Sequence, residues 1–412
     1  MEYGLIGERL THSYSREVHA MLADYTYELC ELKPSELDAF LTKRDFKAIN
    51  VTIPYKEAVI PYLSYIDPEA EKIGAVNTVI NRGGKLYGYN TDIYGMCALI
   101  RKTGKSVAGK KVAVLGTGGT SKTAKAALKM LGAGEILLVS RTKSEFTVTY
   151  SELEQLHRDV EFIINTTPVG MYPNTEAQPI SLLGFEKLLG VVDVIYNPLR
   201  TRLVLEAEAM GISAASGLYM LVMQAAWAAG LFLDKEPDIS ACECAYRQLL
   251  IKKENTVLIG MPGAGKTTVA KLLAKRLNKE ATDTDDTVRL RAECEISEIF
   301  ERYGEGEFRK MESLAIRDSV YPGGRIIATG GGAVLNRENV LALKSMGRLY
   351  FLDRPLESLA TTNDRPLSKT PELLRQRFRE RYAIYNEVCD VRINASTTAE
   401  DAMNLILSEM EK

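Results

Sequence analysis

The chain of 412 residues is poor in the features that would place it outside the cell, in a membrane or on nucleic acid. Its six cysteines, at 30, 97, 242, 244, 294 and 389, make no CxxC pair and no tight, even framework. That excludes a disulfide scaffold and reads as reduced thiols in a cytoplasmic protein. Dense Lys/Arg blocks are absent and the net charge is −2, which disfavours a nucleic-acid partner and leaves small molecules as the expected ligands. Met1-Glu-Tyr-Gly-Leu-Ile6 lacks a basic segment followed by an apolar core, so no signal peptide is expected. One uncharged run, Ala215 to Leu233, is long enough to suggest a membrane span. Gly217, Gln224 and Gly230 interrupt it and it lacks the basic flanks of a span, so it reads as a buried helix of a soluble domain. Long Gly/Ser or Pro-rich linkers, internal repeats and low-complexity tracts are missing too, and nothing sets an oligomeric state.

What is present is ordinary globular composition, 46% hydrophobic and 26% charged, in a length that holds two or three domains. The stretch Gly260-Met-Pro-Gly263-Ala-Gly265-Lys266-Thr267-Thr268 has the spacing of a phosphate-cradling P-loop. Its glycines let backbone N–H groups turn toward an anion, Lys266 can reach the outer phosphates of ATP, and the Thr267 hydroxyl can ligate Mg²⁺. A short apolar strand, Thr256 to Ile259, precedes it and an amphipathic helix, Val269 to Leu277, follows. In small P-loop kinases this loop follows the first strand, so a domain over residues 254–412 is expected, and the preceding residues must be something else.

A second nucleotide signal lies upstream. Lys110 to Leu115 reads as a strand running into Gly116-Thr-Gly118-Gly119-Thr-Ser121, then a helix, Thr123 to Leu131, and a second strand, Glu135 to Val139. This is a βαβ unit with a Gly-rich first turn. Where an acidic residue would bind the ribose 2′-hydroxyl of NAD, the chain has Ser140-Arg141-Thr142-Lys143, which suits a 2′-phosphate and hence NADP. Between Glu145 and Arg158 there is little room for the usual second crossover helix. Phe162 to Asn165 and Val191 to Ile195 supply further strands of a parallel sheet. A helix from Ala241 to Leu250 leads into a short charged junction, Ile251 to Asn255. The first hundred residues mix short strands and helices as in a small α/β domain.

Within that first part, three stretches stand out: His12-Ser13-Tyr14-Ser15, Asn50-Val-Thr52-Ile-Pro54-Tyr-Lys56, and Gly74-Ala-Val-Asn77-Thr with Tyr89-Asn90-Thr91-Asp92. Singly, each has a plain explanation as a polar loop, a strand end or an Asx turn. Jointly, and with the glycine turn, they resemble shikimate dehydrogenase over about residues 3 to 250. The resemblance implies a substrate domain (1–96) and a Rossmann-like NADP domain (97–250) whose last helices return to the first. It implies that Ser13, Ser15, Thr52, Asn77, Tyr196 and Gln224 hold the substrate and that Lys56 and Asp92 are the catalytic pair. Gly116, Gly118, Gly119, Ser140, Arg141, Thr142 and Gly217 would serve NADP(H). An ammonium aimed at a ketone oxygen that gains negative charge during hydride transfer stabilises it and can deliver a proton, so the residue types suit the chemistry. Arg9 and Arg16 replace prolines usual in the family and Ser140 replaces an asparagine, which bears on loop shape and adenosine contacts.

After the P-loop come Thr282-Asp283-Thr284-Asp285, then Gly304-Glu-Gly-Glu-Phe308-Arg309 entering a helix, and the strand Arg325 to Thr329 opening into Gly330-Gly331-Gly332-Ala-Val334. Asp364-Arg365-Pro366-Leu367 and Arg377-Phe-Arg-Glu-Arg381 follow late in the chain. In this order they resemble shikimate kinase over about residues 254 to 412. The likeness implies that Thr267 and Asp283 hold Mg²⁺, that Asp285 deprotonates the attacking hydroxyl, and that Lys266 and Arg365 neutralise transferring charge. Gly263, Gly265, Lys266, Thr267 and Thr268 would bind ATP, with Arg309, Gly331 and Arg381 on the substrate, since a guanidinium fork matches a carboxylate in two hydrogen bonds. The segment before Arg365 is short and lacks an arginine that family members often carry. The expectation is an α/β enzyme of aromatic biosynthesis running two consecutive steps. A catalytically silent regulatory module, or quinate as the reductase substrate, are the alternatives.

Overall fold

The computed structural model describes residues 1–10, 13–359 and 370–411. It divides into two compact units, Met1–Leu249 and Leu250–Lys412.

The first unit holds two sheets. In the first are β1 (Tyr3–Gly7), β2 (Tyr27–Glu31), β3 (Ala48–Val51), β4 (Tyr65–Ile66), β5 (Thr78–Arg82) and β6 (Lys85–Tyr89), ordered β2-β1-β3-β5-β6-β4. The β2-β1-β3 group is parallel, whereas β5 runs antiparallel to β3 and turns back into β6. Gly83 and Gly84 close that hairpin at φ 58° and 83°, the left-handed pair that a two-residue turn matched to strand twist requires. Ile6, Leu41, Ile49, Val79 and Leu86 are fully or nearly fully buried in the core against it.

The second sheet contains β7 (Lys111–Leu115), β8 (Glu135–Ser140), β9 (Val148–Thr149), β10 (Phe162–Asn165), β11 (Gly190–Asp193) and β12 (Ser213–Ser216). Its order is β12-β11-β10-β7-β8-β9, with every neighbour parallel. The chain winds one way from β7 to β9 and the other way from β10 to β12. The glycine turn after β7 therefore sits at the point where winding reverses, the crevice in which such sheets take ligands. The helix after this turn, Gly119–Met130, begins four residues earlier than its apolar spacing predicts, because Gly118 serves as its N-cap and the Ser121 hydroxyl donates back to Gly118 O at 2.6 Å. The second crossover helix is present but short, Tyr150–Leu156, started by a capping box between Thr149 and Glu152.

The uncharged run is split: Ser213–Ser216 is strand, and Leu218–Leu233 is a largely buried helix. Among the described residues no helix is long and apolar enough to cross a membrane. The helix Ile239–Lys253 takes in the first three residues of the expected charged junction, and Asn255 already belongs to the next strand.

In the second unit β13 (Asn255–Ile259), β14 (Ala281–Asp283), β15 (Ile326–Ala328), β16 (Gly347–Asp353) and β17 (Val391–Asn394) form a parallel sheet ordered β14-β15-β13-β16-β17. Helix Lys266–Leu277 starts directly on the loop after β13. The long helix Ile296–Val320 is broken at Gly304, whose φ of 80° and ψ of 170° no helix contains, so Glu305 to Arg309 opens a fresh helical segment.

Candidate active sites

In the first unit the pair expected to do chemistry is formed. Lys56, in the turn after β3, donates to Asp92 Oδ2 at 2.6 Å. Asp92 opens the helix Asp92–Lys102, where Asn90 Oδ1 accepts its N–H at 3.1 Å. Its other oxygen accepts from Asn77 Nδ2 at 2.9 Å. Backbone bonds hold the two loops in register: Val76 N–H donates to Lys56 O and Val51 N–H to Asn77 O, both at 2.8 Å. Ser13, Ser15, Thr52, Lys56, Asn77, Asp92, Tyr196, Gly217 and Gln224 all line one cleft. Two further lining residues escaped the sequence reading as ligand contacts. Arg9, read there as a matter of loop shape, faces this cleft, and so does Asn50. His12 lies outside the described residues.

Tyr196 is held in that cleft by an arrangement that sequence reasoning missed. Asp193, at the end of β11, is fully buried and accepts from Thr201 Oγ1 at 2.7 Å, Ile195 N–H at 3.0 Å and Asn165 Nδ2 at 3.1 Å. These bonds pin both ends of the loop carrying Tyr196. Burial pushes the Asp193 carboxyl up to about 6, against the opposing pull of Thr201, Ile195 and Asn165. The signal available was a charged residue inside an otherwise apolar strand, Val191 to Ile195. Gly217 opens the helix Leu218–Leu233 so close to Val194 O that any β-carbon there would collide.

The dinucleotide residues fit their group. Gly116 has φ 102° and backs onto Thr166 and Thr167, while nothing lies within 4 Å of where side chains on Gly118 and Gly119 would start. The start of helix Gly119–Met130 is thus uncrowded on the side of these two glycines, where a pyrophosphate can approach a helix N-terminus. Ser140 ends β8 and accepts from Thr142 N–H at 3.3 Å, and Arg141 is exposed beside it.

In the second unit Gly263, Gly265, Lys266, Thr267, Thr268, Asp283, Asp285, Arg309, Gly331 and Arg381 line a single cleft. Gly260, Gly263 and Gly265 take φ of 144°, 82° and 93°, conformations that hold the loop open around an anion. Lys266 donates to Gly260 O and Met261 O at 2.9 and 3.0 Å, which ties its chain across the loop. Thr267 Oγ1 donates to Asp283 Oδ2 at 2.6 Å. Among the described residues no cluster of three or more His, Cys, Asp or Glu side chains could hold a metal alone. Thr267 and Asp283 nevertheless suit Mg²⁺, which is held by one or two protein oxygens together with phosphates and water.

The three glycines after β15 are needed for close approach. A β-carbon on Gly330 would lie 2.5 Å from Asp285 Oδ1 and 2.7 Å from Glu312 Oε1, and one on Gly332 would strike the Arg309 guanidinium. Arg381, 3% exposed, donates to Gly331 O at 3.1 Å, while its Nε and Nη2 have no partner among the described residues. Burial holds this guanidinium below its ordinary value, against the pull of Tyr385. Glu312, absent from the sequence reading, accepts from Arg309 at 2.7 Å, one helical turn away. Burial pushes its carboxyl up and Arg309 opposes this. The i, i+3 spacing to Arg309 was the sequence signal for it. A buried arginine with unmet donors beside a second, carboxylate-braced arginine is a seat for an anionic group. Arg365 lies outside the described residues.

A family model described as shikimate kinase matches residues 262–411, and one described as the shikimate dehydrogenase substrate binding domain matches residues 5–79. The shikimate dehydrogenase (NADP(+)) of Clostridium perfringens (strain SM101 / Type A) is 37% identical over 265 residues, 60% of this chain and 97% of that protein. A crystal structure of shikimate 5-dehydrogenase from Thermus thermophilus, in complex with NADP(H) and shikimate, has a TM-score of 0.55 and 31% identity, covering 60% of this chain and 99% of that one. A chorismate mutase/shikimate 5-dehydrogenase fusion protein from Clostridium acetobutylicum has a TM-score of 0.56 and 36% identity, covering 60% and 96%. Fold and sites define a nucleotide-dependent oxidoreductase joined to a P-loop phosphotransferase. The chain belongs to the shikimate dehydrogenase family, and its second unit carries a shikimate kinase domain.

Proposed function

We propose that one chain catalyses two consecutive reactions, reduction of 3-dehydroshikimate to shikimate with NADPH and phosphorylation of shikimate to shikimate 3-phosphate with ATP and Mg²⁺. The observation that carries this is that, in each unit, the described candidates for catalysis and for substrate binding line one cleft. Six free cysteines support a reducing compartment such as the cytoplasm.

In the first unit, residues 1–96 would supply most of the substrate contacts and 97–250 the NADP(H) site. Bound NADPH supplies the hydride. Lys56 meets the negative charge building on the ketone oxygen and passes it a proton, and Asp92 holds the ammonium in place and shares the substrate hydroxyl. Ser13, Ser15, Thr52, Asn77, Tyr196 and Gln224 orient the ring through its hydroxyl and carboxylate groups. Arg141 meets the 2′-phosphate.

In the second unit, residues 254–412, bound Mg²⁺–ATP supplies the phosphoryl group. Arg309 and Arg381 grip the shikimate carboxylate, so the acceptor hydroxyl is presented to Asp285, which takes its proton. Lys266 offsets charge on the outer phosphates, and Thr267 and Asp283 anchor the metal. Arg365 adds a further positive charge.

Two assays on the purified full-length chain test this reading: NADP⁺-dependent oxidation of shikimate, and ATP-dependent phosphorylation of shikimate. Both activities are expected. Loss of one, with the protein folded, would reduce that unit to a silent or regulatory module. Faster oxidation of quinate than of shikimate would reassign the first substrate.

A further inference from the structure

Behind the Lys56–Asp92 pair runs a buried line of polar side chains whose first three members, Tyr27, Asn50 and Thr78, the reaction as described does not use. Tyr27, on β2 and 4% exposed, donates its phenolic hydrogen to Asn50 Oδ1 at 2.7 Å. Asn50 Nδ2 donates to Thr78 Oγ1 at 3.0 Å, and Thr78 donates to Asn77 Oδ1 at 2.9 Å. Asn77 Nδ2 then reaches Asp92 Oδ1 at 2.9 Å.

The direction of this line is set by the backbone. Asn50 Nδ2 also faces Asn77 O, at 3.2 Å, a group that can only accept, so the amide oxygen of Asn50 must turn to Tyr27. Asn77 Oδ1 faces Thr91 N–H, at 2.7 Å, a group that can only donate, so its amide nitrogen must turn to Asp92. With both amides fixed, every bond points the same way and successive donors polarise one another toward the carboxylate. Tyr27 is the first donor. Its hydroxyl stays protonated, because burial, and then the neighbouring Tyr25, hold it above its ordinary value. Its ring is clamped by His19, stacked 3.9 Å away at 8° and kept neutral by burial, which lowers it to about 3 against the opposing pull of Asn50.

We infer that Tyr27 is a positioning residue of the dehydrogenase, the head of a one-way hydrogen-bond line that orients Asn77 and Asp92 against Lys56. Neither Tyr27 nor Thr78 lines the cleft, so neither touches substrate. The inference rests on the dehydrogenase reading above.

The test uses the full-length chain with Tyr27→Phe, which keeps the stacked ring and removes only the hydroxyl. Shikimate oxidation should lose about tenfold in kcat, the factor that accompanies one lost buried hydrogen bond, while KM for NADP⁺ is unchanged. Thr78→Val, which breaks the middle link at constant shape, should reproduce the loss even if Tyr27→Phe folds poorly. In an Asp92→Ala background, Tyr27→Phe should cause no further change in residual turnover, because the line then has no end to act on. A lowered melting temperature with kcat per correctly folded site unchanged would make Tyr27 merely structural and overturn the inference. Independent, multiplicative losses in the double variant would overturn it as well. An unsubstituted chain that does not oxidise shikimate would overturn the dehydrogenase reading and this inference together.

Discussion

The two clefts meet growing negative charge with different materials. Around Lys56 and Asp92 the first cleft is built of hydroxyls and amides, Ser13, Ser15, Asn50, Thr52, Asn77, Tyr196 and Gln224, with Arg9 as a further charge. The second gathers Lys266, Arg289, Arg309 and Arg381 against Asp283, Asp285, Asp286 and Glu312. Reducing a ketone builds charge on one oxygen, which one well-placed ammonium can meet. Moving a phosphoryl group spreads charge over several oxygens and requires many fixed charges. Precision in the first site thus rests on hydrogen-bond geometry, and in the second on charge balance.

If that contrast holds, disabling one site leaves the other intact. Lys56→Ala should lower shikimate oxidation by about 10³-fold, within the range for a lost general acid, and leave phosphorylation unchanged. Lys266→Ala should do the converse. Steady-state assays of both activities on both variants check this, and a joint fall in either variant would mean that the sites are not independent. Chelating divalent metal should likewise stop phosphorylation and spare NADP⁺-dependent oxidation, since Mg²⁺ serves only the second cleft.

A smaller effect separates binding from chemistry. Arg381→Gln removes a buried, charge-assisted contact and should raise KM for shikimate in the kinase assay by about 10- to 100-fold, with kcat less affected. An unchanged KM would remove Arg381 from the carboxylate seat. Smallest is Arg141→Ala: this arginine is exposed, so the preference for NADP⁺ over NAD⁺ should shrink by about tenfold, read as the ratio of kcat/KM values. Equal use of both cofactors by the unsubstituted chain would contradict the assignment.

Much of each site was legible because its chemistry sits in contiguous runs. The P-loop and the glycine turn after β7 need positive φ at Gly260, Gly263, Gly265 and Gly116, and the glycines 330 to 332 need close approach, and both demands leave a trace in the sequence. Glu312 escaped although its partner Arg309 is one helical turn away; the rest was carried mainly by residues whose partners are distant in the chain. Asp193 matters through Asn165 and Thr201, and Tyr27 through Asn50. A charge inside an apolar strand marks Asp193 as unusual, but nothing local names the partners of either residue until the strands are side by side. Helix boundaries slipped for a related reason: the start at Gly119 is set by a cap, which the apolar spacing used to read the helix does not report.

The central claim, that both clefts work within one chain, is tested most directly by a single incubation of the purified protein with 3-dehydroshikimate, NADPH, ATP and Mg²⁺. Phosphorus NMR would follow product while absorbance follows NADPH. The account predicts shikimate 3-phosphate, formed only when both nucleotides are present, with one NADPH oxidised and one ATP consumed per product. Oxidation of NADPH with shikimate left unphosphorylated, or no oxidation at all, would contradict it.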